Sequence, residues 1–115
     1  MASEAISTAN ATHYTWGDGC DGWHLVRTDA LSIIEECMPA GTAERRHFHA
    51  RARQFFYVLA GELTMEVDGR EHVICANHGL EIAPGVPHQA RNRSGAEVRF
   101  MMTSQPPSHG DRINL

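Results

Sequence analysis

The run Gly41-Thr-Ala-Glu-Arg-Arg-His47-Phe-His49-Ala-Arg-Ala-Arg-Gln54-Phe-Phe-Tyr-Val-Leu-Ala-Gly61 decides how the rest of the chain is read. Along a strand, residues i and i+2 project to the same face, so His47 and His49 point to one side of a sheet. Gln54 opens a second, more apolar strand, Gln54–Leu59, whose face carries Phe56 and Val58 inward. Ala60-Gly61 then reads as a tight turn. A His-x-His pair is weak by itself in a chain with eight His among 115 residues, so its surroundings have to supply the argument.

Those surroundings are strands and turns. Downstream, Glu62–Val67 alternates, with Leu63, Met65 and Val67 on one face. Asp68-Gly69 is a hairpin signal joining it to Arg70–Cys75. Gly79–Ala83, His88–Asn92 and Glu97–Thr103 follow, with the rigid turn Pro84-Gly-Val-Pro87 setting His88 just past a corner. Upstream, Leu25–Thr28 and Leu31–Met38 precede Pro39-Ala-Gly41, and Glu44–His49 completes about nine short strands. No window of a dozen residues carries a helical period. The fold class expected is all-β, with residues 1–12 as an N-terminal arm, 13–103 as one domain and 104–115 as a tail packed on it.

Composition narrows the function. Hydrophobic residues at 42% and charged residues at 21% are ordinary globular usage, and the length suits one core. Ten Arg against fourteen Asp plus Glu leaves a net charge of −4, with no basic surplus to neutralise phosphates, so neither nucleic acid nor an anionic membrane is an expected partner. The chain has no Lys, which excludes Schiff-base chemistry through a lysine amine. Three Cys without Cys-x-x-Cys spacing support neither a disulfide framework nor a thiolate zinc site; Cys37 and Cys75 fall in strands and Cys20 in a loop. The start lacks the basic and apolar regions of a signal peptide, and no apolar run reaches membrane-span length, so a cytoplasmic setting is expected.

Taken together, these residues resemble the cupin superfamily. Its first motif, G-x(5)-H-x-H-x(3,4)-E-x(6)-G, is met by Gly41, His47, His49 and Gly61, with Gln54 in place of Glu. Its second, G-x(5)-P-x-G-x(2)-H-x(3)-N, is met by Gly85, His88 and Asn92, while Asn77 and Ala83 stand at its first Gly and Pro positions. The motifs cover residues 41–92, and the fifteen residues between them suit the small single-domain members. The resemblance implies a double-stranded β-helix, or jelly-roll barrel, with little or no helix. It also implies one divalent transition metal (Fe, Mn, Ni, Cu or Zn) held by His47, His49 and His88, and a homodimer. Gln54 either joins the ligands through its amide oxygen or hydrogen-bonds a His ring. A neutral amide in place of a carboxylate leaves the full metal charge uncompensated, which lowers affinity, sharpens Lewis acidity and favours anionic ligands.

The activity expected is that of a small metal-dependent enzyme, of oxygenase or isomerase/lyase type, acting on a small anionic or carbonyl-bearing molecule. The alternative is a non-catalytic ligand-binding or sensor cupin; a metal-free sugar-nucleotide epimerase fits less well, since the His set would be superfluous. Arg53, Phe56, Met65, Phe100 and Met102 are the candidate substrate-binding residues. Arg51 lies beside the motif but reads more simply as a turn residue. Glu44 and Glu62 serve as general bases only if turned inward, which strand parity disfavours. The obvious set therefore lacks an acid–base partner, which counts against lyase and isomerase chemistry.

Overall fold

In the computed structural model, which describes residues 3–115, the first regular element is a hairpin of β1 (Thr12–Trp16) and β2 (Cys20–Arg27). Then come β3 (Ser32–Met38), β4 (His47–His49), β5 (Arg53–Ala60), β6 (Glu62–Val67), β7 (Arg70–Cys75), β8 (Gly79–Ile82), β9 (His88–Arg91), β10 (Val98–Gln105) and β11 (Arg112–Asn114). Every pairing is antiparallel, and no helix occurs among the described residues. One sheet runs β1-β2-β3-β10-β5-β8 and the other β11-β4-β9-β6-β7. This is an all-β double-stranded β-helix.

Between the sheets lie Phe56, Val58, Leu63, Met65, Ile74, Ile82, Ala90, Val98 and Phe100. They sit there because the strands alternate: β5 buries Gln54, Phe56 and Val58 and turns Arg53 and Phe55 to solvent. Two turns carry the conformations their residues favour, Asp68 (φ 49°) with Gly69 (φ 88°) and Gly61 at φ 86°. Asn92 shows why an amide ends the second motif. Its Nδ2 donates to the Met38 and Ala96 carbonyls, at 2.9 and 2.8 Å, and its Oδ1 accepts from Ser94.

The strand count rises from nine to eleven for identifiable reasons. Thr12–Trp16 is a run of β-prone residues, and Gly17 and Gly19, both at positive φ, turn it back onto β2. Cys20, expected in a loop, is buried at the start of β2. Within 104–115, Arg112–Asn114 pairs with β4, opposite His49, Phe48 and His47. Glu44–His49 is not one strand: only His47–His49 is extended in a ladder, preceded by an isolated bridge from Ala43 to Arg91. Of the arm read as 1–12, residues 1 and 2 lie outside the described residues, and Ser7–Asn10 closes a hydrogen-bonded turn just before β1.

Gly61 tests this packing. Its left-handed φ is strained for any side chain, and a Cβ there would come within 2.6 Å of the Glu97 carbonyl oxygen. Gly61→Ala should cost at least ~1 kcal/mol of stability, since both conformation and contact oppose it. Denaturant unfolding reads the cost, and an unchanged midpoint would refute it.

Candidate functional site

Antiparallel pairing of β4 with β9 sets His47 directly opposite His88. His49, two residues along β4, shares their face. The rings of His47 and His88 are 4.4 Å apart between centroids, those of His47 and His49 4.9 Å, and one nitrogen from each of the three lies within 4.8 Å of the others. All three residues are buried.

Backbone carbonyls orient two of the rings. His47 Nδ1 lies 2.7 Å from the Arg45 carbonyl oxygen and His88 Nδ1 3.0 Å from that of Val86, so each donates Nδ1–H outward and keeps the Nε2 lone pair free. Burial depresses all three imidazoles, His47 to about 3 and His49 to about 4; Arg112 adds to the effect on each, and neighbouring imidazoles add to it for His47 and His49. They are thus neutral at physiological pH, the form that binds metal. Among the described residues, His88 Nε2 and His49 Nδ1 are buried without a hydrogen-bond partner, as is Gln54 Oε1. Gln54 Nε2 donates to Ser104 Oγ at 3.1 Å, leaving the carbonyl oxygen as the unpartnered end. Three neutral nitrogens and one amide oxygen with unmet lone pairs fit a divalent transition ion.

The cluster lies in the wall of a cavity of about 620 Å³, within the range of sites for small organic molecules. His47, His49 and Gln54 reach its surface, and Trp16, Ile34, Phe56 and Met102 supply apolar walls. Of the residues expected to meet a substrate, Phe56 and Met102 line it, whereas Arg53, Met65 and Phe100 do not. Register explains the division. Along the β5–β10 pair, Met102 lies opposite Phe56 and Ser104 opposite Gln54, at the open end; Phe100 lies opposite Val58, in the closed core. Met65 is likewise sealed in the core. Arg53 falls on the outer parity of β5 and pairs with Glu81 at 3.0 Å.

The cavity also holds acid–base groups that the sequence reading lacked. Tyr14 donates its hydroxyl to Glu36 Oε2 at 3.0 Å, and both line the cavity. Gly22 makes room for them, because a Cβ there would overlap the Tyr14 ring. Burial and the neighbouring Glu44 push the Glu36 carboxyl up to about 8, against the lowering effect of the Tyr14 hydrogen bond. Glu44 lies inside, contrary to expectation, because residues 44–46 are not strand and parity does not carry through them. Its Oε2 accepts from the Ala90 N–H at 2.8 Å, and its Oε1 is 3.9 Å from both His47 Nδ1 and Arg112 Nη1. Glu62 is exposed. A signal for Glu36 was available: it shares its alternation row with Ser32, Ile34 and Met38, all inward.

The cupin-domain family model matches residues 34–104, more than half of the chain and spanning both His motifs. The chain belongs to the cupin family. Polyketide synthase CurC of Streptomyces cyaneus is 30% identical to this cupin over 69 residues, 60% of this chain and 45% of that protein. The chain spans under half the length of the curated relatives it matches. Among solved structures, an RmlC-like cupin from Shewanella frigidimarina aligns with TM-score 0.81 and 23% identity, covering 92% of this chain and 93% of that one. The polyketide cyclase RemF of Streptomyces resistomycificus aligns with TM-score 0.86 and 16% identity, covering 99% and 86%. At these identities the likeness is one of fold.

The buried carboxyl makes a pH prediction. Between its ordinary value of 4.5 and about 8, Glu36 keeps in the folded cupin a proton that the unfolded chain has released. The stability this confers is fully present below pH 4.5 and lost as pH rises through about 8. The stability difference between Glu36→Gln and the native sequence should therefore climb in favour of the variant across that window and level off above it. Denaturant unfolding at stepped pH measures the difference; a flat profile would contradict it.

Proposed function

We propose that this cupin is a metal-dependent enzyme that moves a proton on a small carbonyl-bearing or anionic molecule, in isomerase or lyase fashion. The observation carrying the reading is the convergence of three neutral His nitrogens, two on rings fixed by backbone carbonyls, beside a cavity that also contains the Tyr14–Glu36 pair. His47, His49 and His88 would hold the metal, with Gln54 Oε1 as a fourth donor. When bound, an Fe, Mn, Ni, Cu or Zn ion supplies Lewis acidity toward a substrate oxygen.

The chain's own residues do the rest. Trp16, Ile34, Phe56 and Met102 hold the apolar body of the ligand and keep water off it. Glu36, whose carboxyl meets no cation at salt-bridge distance among the described residues, takes or returns the proton. The Tyr14 hydroxyl holds that carboxyl in place from β1 and stays protonated, its own ionisation driven upward by burial and by Glu36. Glu44 is committed to the Ala90 N–H and is the lesser candidate. RemF is a polyketide cyclase and CurC a polyketide synthase, and a carbonyl-bearing ligand agrees with polyketide chemistry. A cytoplasmic homodimer without nucleic-acid or membrane partners completes the reading. Exposed Phe55 and Leu59 on β5 supply apolar surface for the dimer, and a monomer in sedimentation velocity would remove that part.

Elemental analysis of untagged protein, purified without chelator, should find near-stoichiometric transition metal, lost in His88→Ala. Metal-free protein that also fails to load on soaking would refute the metal enzyme and favour the ligand-binding alternative. Gln54→Glu should raise metal affinity by about tenfold or more, since it adds an anionic donor; unchanged affinity would take Gln54 off the ligand set.

A further inference from the structure

A second cavity, of about 600 Å³, adjoins the first and is lined by His24, Arg27, Thr28, Asp29, Ser32, Arg51, Pro106, Pro107 and His109. The two share His24, Arg27 and His109. Arg27 and His109 are exposed while the metal-site His are buried, so the shared residues mark the entrance and the His cluster the depth. The rim is cationic on a chain whose net charge is −4. Among the described residues Arg27 has no carboxylate in salt-bridge contact, and Asp29 is the one acidic side chain in the outer lining. Arg51, the other guanidinium, is 3.6 Å from Asp111, which is itself occupied in accepting the Arg51 and Ala52 N–H groups.

His24 supplies the second observation. Its Nδ1 is buried at this junction without a hydrogen-bond partner among the described residues. Burial lowers its proton affinity, and Arg27 and His109 lower it further, so basic groups crowd one another at the entrance. Such crowding is relieved when an anion sits among the groups.

We propose that the rim formed by His24, Arg27 and His109 binds an oxyanion, a phosphoryl or carboxylate group, carried by the ligand at the end remote from the His cluster. The ligand is then bipartite: an apolar, carbonyl-bearing body enters between Phe56, Trp16 and Met102, while its anionic end stays at the entrance. This deepens the proposed function by naming the substrate class, and it rests on that reading only for which end of the ligand reacts. Arg27 acts in binding and specificity.

Phenyl phosphate, benzoate and phenol serve as probes on the 115-residue chain, by calorimetry or NMR titration, before and after chelator treatment. The expected result is that one or both anions bind at least about tenfold more tightly than phenol, and that the advantage fades as salt approaches about 1 M, where screening reaches about 3 Å. Which anion is favoured distinguishes the phosphoryl from the carboxylate source. Arg27→Met should weaken anion binding by about tenfold or more, and Arg27→Lys should restore part of it. Arg70→Met removes from the other sheet one exposed charge that is unpaired among the described residues and should leave binding as it was. His88→Ala should lose metal yet keep the anion, which separates failure of the metal reading from failure of this one. Anions binding no better than phenol, or Arg27→Met matching the native sequence, would overturn the proposal.

Discussion

The pairing of β4 with β9 is the constraint on which the site depends. It is a short contact, yet by setting His47 opposite His88, 41 positions along the chain, it joins two separate sequence motifs into one cluster of nitrogens. Neighbouring structure holds it in place. Gly85 N–H donates to the His49 carbonyl at 2.7 Å, β11 covers the other edge of β4, and Asp111 accepts the N–H groups of Arg51 and Ala52 where the chain leaves β4. His47 and His88 then receive their orientation from backbone rather than from a flexible side chain, so their Nε2 lone pairs stay free before anything binds. Preorganisation of this kind removes an ordering cost from ligand binding.

Around that cluster the cavity works against the stability of its own lining. Neutral His, protonated carboxyl and unpartnered amide oxygen are all groups that water would solvate better, and burial moves each toward its uncharged form. The chain tolerates them because the closed end of the sandwich is densely apolar, with Val58, Leu63, Met65 and Val98 fully buried. Division of labour runs along each strand: on β5 and β10 one end is core and the other is cavity, with the same alternation serving both. At the outer end the character changes again, to a rim of His and Arg.

How much of this was legible in the chain follows from the range of each signal. His47, His49, Gln54 and His88 fall at the spacings of the cupin motifs, so the resemblance marked them, and the alternation of β5 placed Phe56 correctly. Met65, Phe100 and Met102 were indistinguishable by type and parity, because what separates cavity from core is the position of a residue along a strand relative to a partner far away in sequence. Glu44 was misplaced because parity was carried through residues that are not strand. Tyr14 was not among the candidate site residues because it reaches Glu36 only through a hairpin whose turn, Gly17-Asp18-Gly19, joins short segments without clean alternation.

By itself the sequence determined the fold class, through period-two alternation and turn residues with special backbone needs, and its resemblance to the cupin motifs pointed to the family and to the three convergent His; alternation, turns and motif spacings are all local properties. Only the tertiary structure decided that the cavity contains Tyr14, Glu36 and Glu44, that Arg53 faces away, and that His24, Arg27 and His109 meet at its entrance. Those outcomes depend on which strands pair and in what register, and in a sandwich where most partners are remote along the chain, register is set by closure of the whole core.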